Sequence, residues 1–291
     1  MEEKKFFGLR KNVFVVGLVS LFMDISSEMV YPLVPLFLTG VLGTTMITVG
    51  VIEGIAESTA SILKVFSGWI ADRFGRRKLL MLIGYSTSTL SRGVLGAAGS
   101  WGDVLGARFI DRVGKGVRTA PRDAIIADSA GDKTLGRAFG FHRAMDSVGA
   151  IIGPALAALL LAVFAGNMRL VFLLSIIPGA IAVFLIAAFV REKARRAGSG
   201  EKARPSDPCD PPDNGELRRY IIVIALFSLG NTSDAFLILR AGSLGIPAGM
   251  IPVVYLSLNA VYAASSVPLG VFADRVGLKN MVLGGFFFYS A

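Results

Sequence analysis

Residues 68–78 read Gly68-Trp69-Ile70-Ala71-Asp72-Arg73-Phe74-Gly75-Arg76-Arg77-Lys78, a short, strongly basic turn with a long apolar segment on each side. A second copy runs from Gly270 through Asp274, Arg275 and Gly277 to Lys279. Both fit Gly-x-x-Ala-Asp-Arg-x-Gly-x-Arg/Lys. One such turn could arise by chance. Two, at equivalent places in two hydrophobic halves, point to a duplicated membrane protein.

Composition agrees. Of the 291 residues 53% are hydrophobic, and the mean hydropathy is +0.63. The apolar residues gather into runs long enough to span a bilayer, unlike those of a soluble domain. The net charge of +9 is no nucleic-acid signal, because the basic residues sit in connectors between apolar runs. The single cysteine, Cys209, lies in a polar stretch, so neither a disulfide framework nor a cysteine metal site is expected. No metal and no cofactor is implied. The charged start, Met1–Asn12, precedes an apolar run too long for a signal-peptide core, so the first helix reads as an uncleaved anchor.

Eight helices are expected, over about Val13–Leu38, Thr48–Ala71, Leu79–Ala98, Val104–Ser129, Ala138–Phe164, Leu170–Val190, Tyr220–Leu239 and Met250–Ala273. A ninth apolar run, Met281–Ala291, is too short to cross. The stretch Arg191–Arg219 is polar and reads as a linker. The chain thus divides into a six-helix bundle over 1–190, a linker over 191–219 and a partial second bundle over 220–291. Segments on the N-terminal side of the membrane hold roughly 20 Lys and Arg, against Arg169 and Arg240 on the other. The positive-inside rule then places the N-terminus, the linker and both signature turns in the cytoplasm of a cell-membrane protein.

Buried charge is the sharper signal. An ionisable residue near the bilayer centre costs about 2.5 kcal/mol or more, so it faces a protein interior or a wet cavity. Helix 4 (Val104–Ser129) carries Arg108, Asp111, Arg112, Lys115, Arg118, Arg122 and Asp123. At roughly 100° per residue these fall within about 140° of arc, one stripe along the helix. Asp24 and Glu28 share a face of helix 1, and Glu53, Glu57 and Lys64 share a face of helix 2. Arg92 lies in the outer part of helix 3, and His142, Arg143 and Asp146 enter helix 5. A structural salt-bridge network would account for such charges. A substrate and proton path accounts for them better, since small apolar residues build a core at lower cost. His142 reads as solvated or salt-bridged. Ser26-Ser27-Glu28 in helix 1 also parallels Thr232-Ser233-Asp234 in helix 7, which adds Asp234 to the path.

Helix 5 contains Gly149-Ala-Ile-Ile-Gly153-Pro154. Glycines four apart let two backbones approach closely, and the proline removes one backbone bond and bends the helix. Asp72 ends helix 2, where the macrodipole disfavours an anion that lacks a partner.

The paired turn closely resembles the loop signature between helices 2 and 3, and 8 and 9, of the major facilitator superfamily. That resemblance implies an all-α polytopic fold of six plus six helices, of which this chain carries helices 1–8 and part of a ninth and so reads as C-terminally truncated. It implies a gating cluster of Asp72, Arg76 and Asp128, with Gly68, Arg73, Gly75, Gly270, Asp274, Arg275 and Gly277 completing the two motifs. The helix 5 motif resembles that of proton-linked exporters, although the family's closing Gly-Gly is Ala157-Ala158 here. Helix 4 resembles a family pattern of Arg followed by Gly-x-Gly, on Arg108, Gly114 and Gly116, with Arg112 and Lys115 where the pattern is small.

The expected function is secondary transport by alternating access, of a small polar or charged solute, proton-coupled and outward. Asp24 and Glu28 are the coupling candidates and Arg112 and Lys115 the anion-binding candidates, with Arg108 and Arg118 flanking. The expected partners are the bilayer, the solute and protons, without nucleic acid. A facilitative uniporter and a non-transporting sensor on the same fold are the rivals. An enzyme is not expected, since no nucleophile–base or metal-ligand spacing falls on a shared face.

Overall fold

The structure, a computed structural model, describes residues 5–6, 9–74, 76–130, 134–192, 233–276 and 284–287, with isolated positions at 215, 218–219 and 222–223. Residues Met1–Lys193 and Asp234–Ala263 form one compact unit, and Ala194–Ser233 with Ala264–Ala291 a second. Everything described below lies in the first, apart from the residues beyond Ala263.

Apart from a two-residue antiparallel pairing of Lys5–Phe6 with Leu9–Arg10, the described secondary structure is helical. The helices are α1 (Lys11–Val30), α2 (Met46–Phe74), α3 (Arg77–Ala97), α4 (Trp101–Ser129), α5 (Leu135–Val163), α6 (Met168–Phe189), α7 (Asp234–Ser243) and α8 (Ile251–Val276). Among the described residues five segments are long and apolar enough to cross a membrane: Lys11–Val41, Met46–Lys64, Leu135–Val163, Met168–Phe189 and Ala248–Ser265.

Prolines explain the irregularities. After α1 the chain tightens into a 3₁₀ turn (Tyr31–Leu33) and then loosens into a π turn (Phe37–Val41). Pro32 and Pro35 have no N–H for the carbonyls of Glu28 and Tyr31, so the regular ladder cannot continue. α6 breaks at Ser175, just before Pro178. Ser26 Oγ donates to the Ser175 carbonyl at 2.6 Å and ties the break to α1. α4 begins three residues earlier than its hydropathy indicates, because Ser100 and Asp103 form a capping box. α2 likewise runs on to Phe74, so Gly68, Asp72 and Arg73 belong to its last turns and not to a loop. Gly270, Asp274 and Arg275 lie within α8 in the same way. The side chains of these motif residues, and Gly75 and Gly277 altogether, fall outside the described residues, as do Thr232 and most of the expected start of helix 7.

Glycines set the packing. α4 is wedged between α2 and α3. A Cβ on Gly114 would stand 2.5 Å from the Gly84 carbonyl oxygen of α3, and one on Gly116 would stand 2.6 Å from Leu63 Cβ of α2. Two residues apart, these glycines face opposite sides of α4 and admit a neighbour to each. α1 packs on α5 by the same means. A Cβ on Gly149 would meet Asp24 Cβ at 2.8 Å, and one on Gly153 would meet Glu28 Cβ at 2.7 Å.

Two apolar clusters fill the bundle. One joins Leu33, Phe37, Val49, Ile52, Leu161 and Phe172, and Leu239 of α7 belongs to it. The other joins Val16, Val19, Met23, Met81, Tyr85, Ile126 and Ile186. On α4, Val104 and Ala107 belong to the first and Ile125 and Ile126 to the second, with the charged stripe between.

Candidate functional site

Between the clusters lies a cavity of about 240 Å³. α1 contributes Asp24, Ser27, Glu28 and Val30, and Tyr31 follows it. Glu57 comes from α2, and Ser91, Arg92 and Leu95 come from α3. α4 gives Ala107, Arg108, Asp111, Arg112, Lys115 and Arg118, and α8 gives Tyr255. The charged stripe therefore faces one chamber. Nine of the expected path residues meet there: Asp24, Glu28, Glu57, Arg92, Arg108, Asp111, Arg112, Lys115 and Arg118.

Most of these charges are already neutralised. Arg108 makes charge-assisted bonds of 2.7 and 2.6 Å to the two Glu53 carboxylate oxygens, and both residues are buried. That geometry offsets a desolvation cost neither ion could bear alone. Arg112 pairs with Glu57 at 2.9 Å, and Arg92 approaches Asp111 at 3.5 Å. Arg118 lies over the Tyr85 ring, 4.4 Å from its centroid. Among the described residues neither Lys115 nor Arg118 has an ion-pair partner within 4.0 Å. Arg118 is buried, and its Nη1 is unpartnered; so is Glu28 Oε2. Buried polar atoms are ordinarily satisfied; Arg92, Arg108 and Arg112 also leave Nε without a partner among the described residues. Tyr255 lines the same cavity, and its ring lies 5.4 Å from that of Tyr31.

Four expected path residues lie elsewhere. Glu53 sits behind Arg108, outside the lining. Arg122 lies one turn beyond the cavity and bonds to its neighbour Asp123 at 2.9 Å. Asp146 lies outside the lining, its Oδ2 3.4 Å from His142 Nδ1. Asp234 is exposed at the first described turn of α7. The expected partner of Asp128 also changes. Arg77, the first residue of α3, pairs with Asp128, while Arg76 precedes the helix in a non-helical conformation and is exposed. Asp72 Oδ atoms are outside the description.

Several contributors escaped the sequence reading. Tyr255 and Asn259, one turn apart on an otherwise apolar stretch, carried a polar-face signal that could have revealed them. Glu192 accepts from the backbone N–H groups of Arg77 and Lys78 at 2.7 and 3.2 Å, an acid capping α3 from the end of α6. No local pattern announces that contact. Among the described residues no group of three or more His, Cys, Asp or Glu side chains is placed to hold a metal ion.

A bundle of helices apolar enough to cross a membrane, around a charge-lined chamber, fits a solute transporter of the multi-pass membrane class. The chain belongs to the major facilitator superfamily, whose family model matches residues 16–291. It is 34% identical to an uncharacterized MFS-type transporter of Methanocaldococcus jannaschii over 97% of this chain and 71% of that protein. It is 26% identical to a multi-drug resistance efflux pump PmrA homolog of Lactococcus lactis, over 99% of this chain and 72% of the relative. Among solved structures it resembles a bacterial homolog of the human lysosomal transporter Spinster in an inward-facing, occupied conformation. That match has a TM-score of 0.70 and 16% identity, and covers 91% of this chain but only 61% of the other.

Proposed function

We propose that the protein exports a small anionic solute by proton-coupled alternating access, with the anion received between Lys115 and Arg118. One observation carries this reading: two α4 cations without ion-pair partners face two α1 acids, Asp24 and Glu28, across one chamber. With both acids protonated the chamber holds a surplus of positive charge and attracts an anion. With both ionised the surplus is gone and the anion is released, so proton and anion move together and export draws on an outward anion gradient that exceeds the inward proton gradient. Arg112, neutralised by Glu57, is a secondary contact. The proposed assembly pairs the bundle over 1–190 with a second bundle after a cytoplasmic linker, with the N-terminus inside a cell membrane. The charge asymmetry of the connectors supports that orientation. The outward direction is supported by the helix 5 motif and by the likeness to the Lactococcus efflux pump homolog. The turns carrying Asp72, Arg73, Arg76, Asp274 and Arg275 serve as the gating elements of that cycle.

The test places the natural full-length protein in proteoliposomes under an imposed pH gradient, with a dye following internal pH. Organic anions, sugars and cationic drugs are added in turn. The expected result is proton flux with an anion, reduced about tenfold or more in Arg118→Ala, the loss of about one charge-assisted bond. Flux driven by cationic drugs and insensitive to Lys115→Ala and Arg118→Ala would overturn the reading.

A further inference from the structure

We propose that the solute is a small aromatic carboxylate, its ring seated at the Tyr31–Tyr255 end of the chamber and its carboxylate between Lys115 and Arg118. The inference rests on the reading of the chamber as an anion site and names the chemical class of that anion.

The chamber has two unlike ends. At one, the lining residues Val30, Leu95 and Ala107 all belong to the first apolar cluster. Tyr31 follows Val30 there, and Arg108, next to Ala107, lies over its ring with the guanidinium carbon 5.5 Å from the centroid. Tyr255 completes that end beside Tyr31. At the other end Arg118 lies over Tyr85, a member of the second cluster. Lys115 precedes Arg118 by about one turn. Between the ends the charges are paired off, Arg112 with Glu57 and Arg92 with Asp111. A solute lying along α4 therefore meets aromatic and aliphatic surface, then paired charges, then two cations without ion-pair partners.

That order selects a molecule with an apolar part and a separate anionic part. A sugar would press hydroxyls against Val30, Leu95 and Ala107, at roughly 1–3 kcal/mol for each one left without a hydrogen bond. An inorganic anion would leave the aromatic end unfilled.

The two tyrosines suit that end to a ring. Their centroids are 5.4 Å apart and their planes tilted by 38°, a spacing and angle at which aromatic groups attract one another. Both rings are held in place. Arg108 is fixed behind Tyr31 by both Glu53 carboxylate oxygens, and Tyr255 is 8% exposed and packed with Ile238 and Ile251. Fixed flat walls favour a rigid flat group, which loses less conformational freedom on binding than an alkyl chain does. Size limits the rest of the molecule. The cavity of about 240 Å³ lies below the roughly 300–1,000 Å³ of sites for drug-sized ligands. Arg108 and Lys115 stand two turns apart on α4, about 10 Å along its axis. One ring, a short spacer and one carboxylate fill that length, as in an arylalkanoate. Tyr31 and Tyr255 then determine specificity, and Lys115 and Arg118 supply the charge.

Calorimetric titration of the full-length protein in detergent tests this with three probes of similar length: hydrocinnamate, its saturated-ring analogue cyclohexanepropanoate, and the uncharged hydrocinnamamide. Hydrocinnamate is expected to bind about fivefold tighter than cyclohexanepropanoate, the worth of one aromatic contact. It is expected to bind about tenfold or more tighter than hydrocinnamamide. Tyr31→Leu and Tyr255→Leu should erase the first preference and keep the second. Arg118→Ala should do the reverse, and Tyr255→Phe should keep both. The probe series on the wild-type protein serves where a variant fails to fold. Equal binding of hydrocinnamate and cyclohexanepropanoate overturns the aromatic class and leaves the anion reading intact, as does a ring preference unchanged in both leucine variants. Hydrocinnamamide binding as tightly as hydrocinnamate, indifferent to Arg118→Ala, overturns the anion reading and this inference with it. No binding by any probe overturns the aromatic class alone, and anion-driven proton flux in proteoliposomes then decides the anion reading separately.

Discussion

α4 and α6 both belong to the first bundle, yet they are opposite kinds of membrane helix. Beyond Arg169, α6 carries no charged residue, and it presents Phe184 outward, 62% exposed. α4 carries the densest charge of the described helices and does not qualify as a span by composition. The difference lies in their neighbours. α4 is enclosed by α2 and α3 through Gly116 and Gly114; its Arg108 and Arg112 meet Glu53 and Glu57 of α2, and its Asp111 meets Arg92 of α3. Hydropathy reports the cost of a helix facing lipid. It does not report what a helix costs when its partners bring the compensating charges.

If that contrast is right, the largest effect belongs to the buried pair. Arg108→Met should cost about 3–5 kcal/mol, because it leaves Glu53 buried and unpaired. Thermal unfolding in detergent measures it, and adding Glu53→Met should restore most of the loss. A single variant no worse than the double would dissolve the argument for compensation. Next in size is Gly114→Ala, expected to lose about 1–3 kcal/mol by overpacking against Gly84. Gly106→Ala on the same helix, where a Cβ meets nothing within 4 Å, should lose none. Equal effects would mean that glycine acts through helix propensity and not through close approach. Ser100→Ala should cost about 1 kcal/mol by removing the cap of α4. The smallest effect is on the other helix: Phe184→Ala should stay within about 0.5 kcal/mol. A large loss there would show that this face of α6 packs on protein.

What could be read from the chain was what recurs along it. The eight runs expected as helices, the repeated Gly-x-x-Ala-Asp-Arg-x-Gly motif and the angular stripe on α4 are all local patterns. They were sufficient for the helix order, the membrane class and most of the cavity lining. Boundaries slipped by a few residues where capping decided them, as at Ser100 and Asp103. The assignments that failed were pairings. Asp128 was expected with Arg76 and meets Arg77. Arg112 was expected to await an anion and is held by Glu57. His142 was expected to be solvated or salt-bridged; it is buried on Ser20, with Asp146 beside it.

The sequence by itself determined which helices form and which of their faces carry charge, because helical periodicity and hydropathy are properties of neighbours along the chain. Only the tertiary structure decided which charges are already neutralised and which remain for a ligand. Arg108, Arg112 and Arg118 are alike on a helical wheel. They differ because glycine-mediated packing brings Glu53 and Glu57 from α2 to the first two and leaves the third facing the cavity.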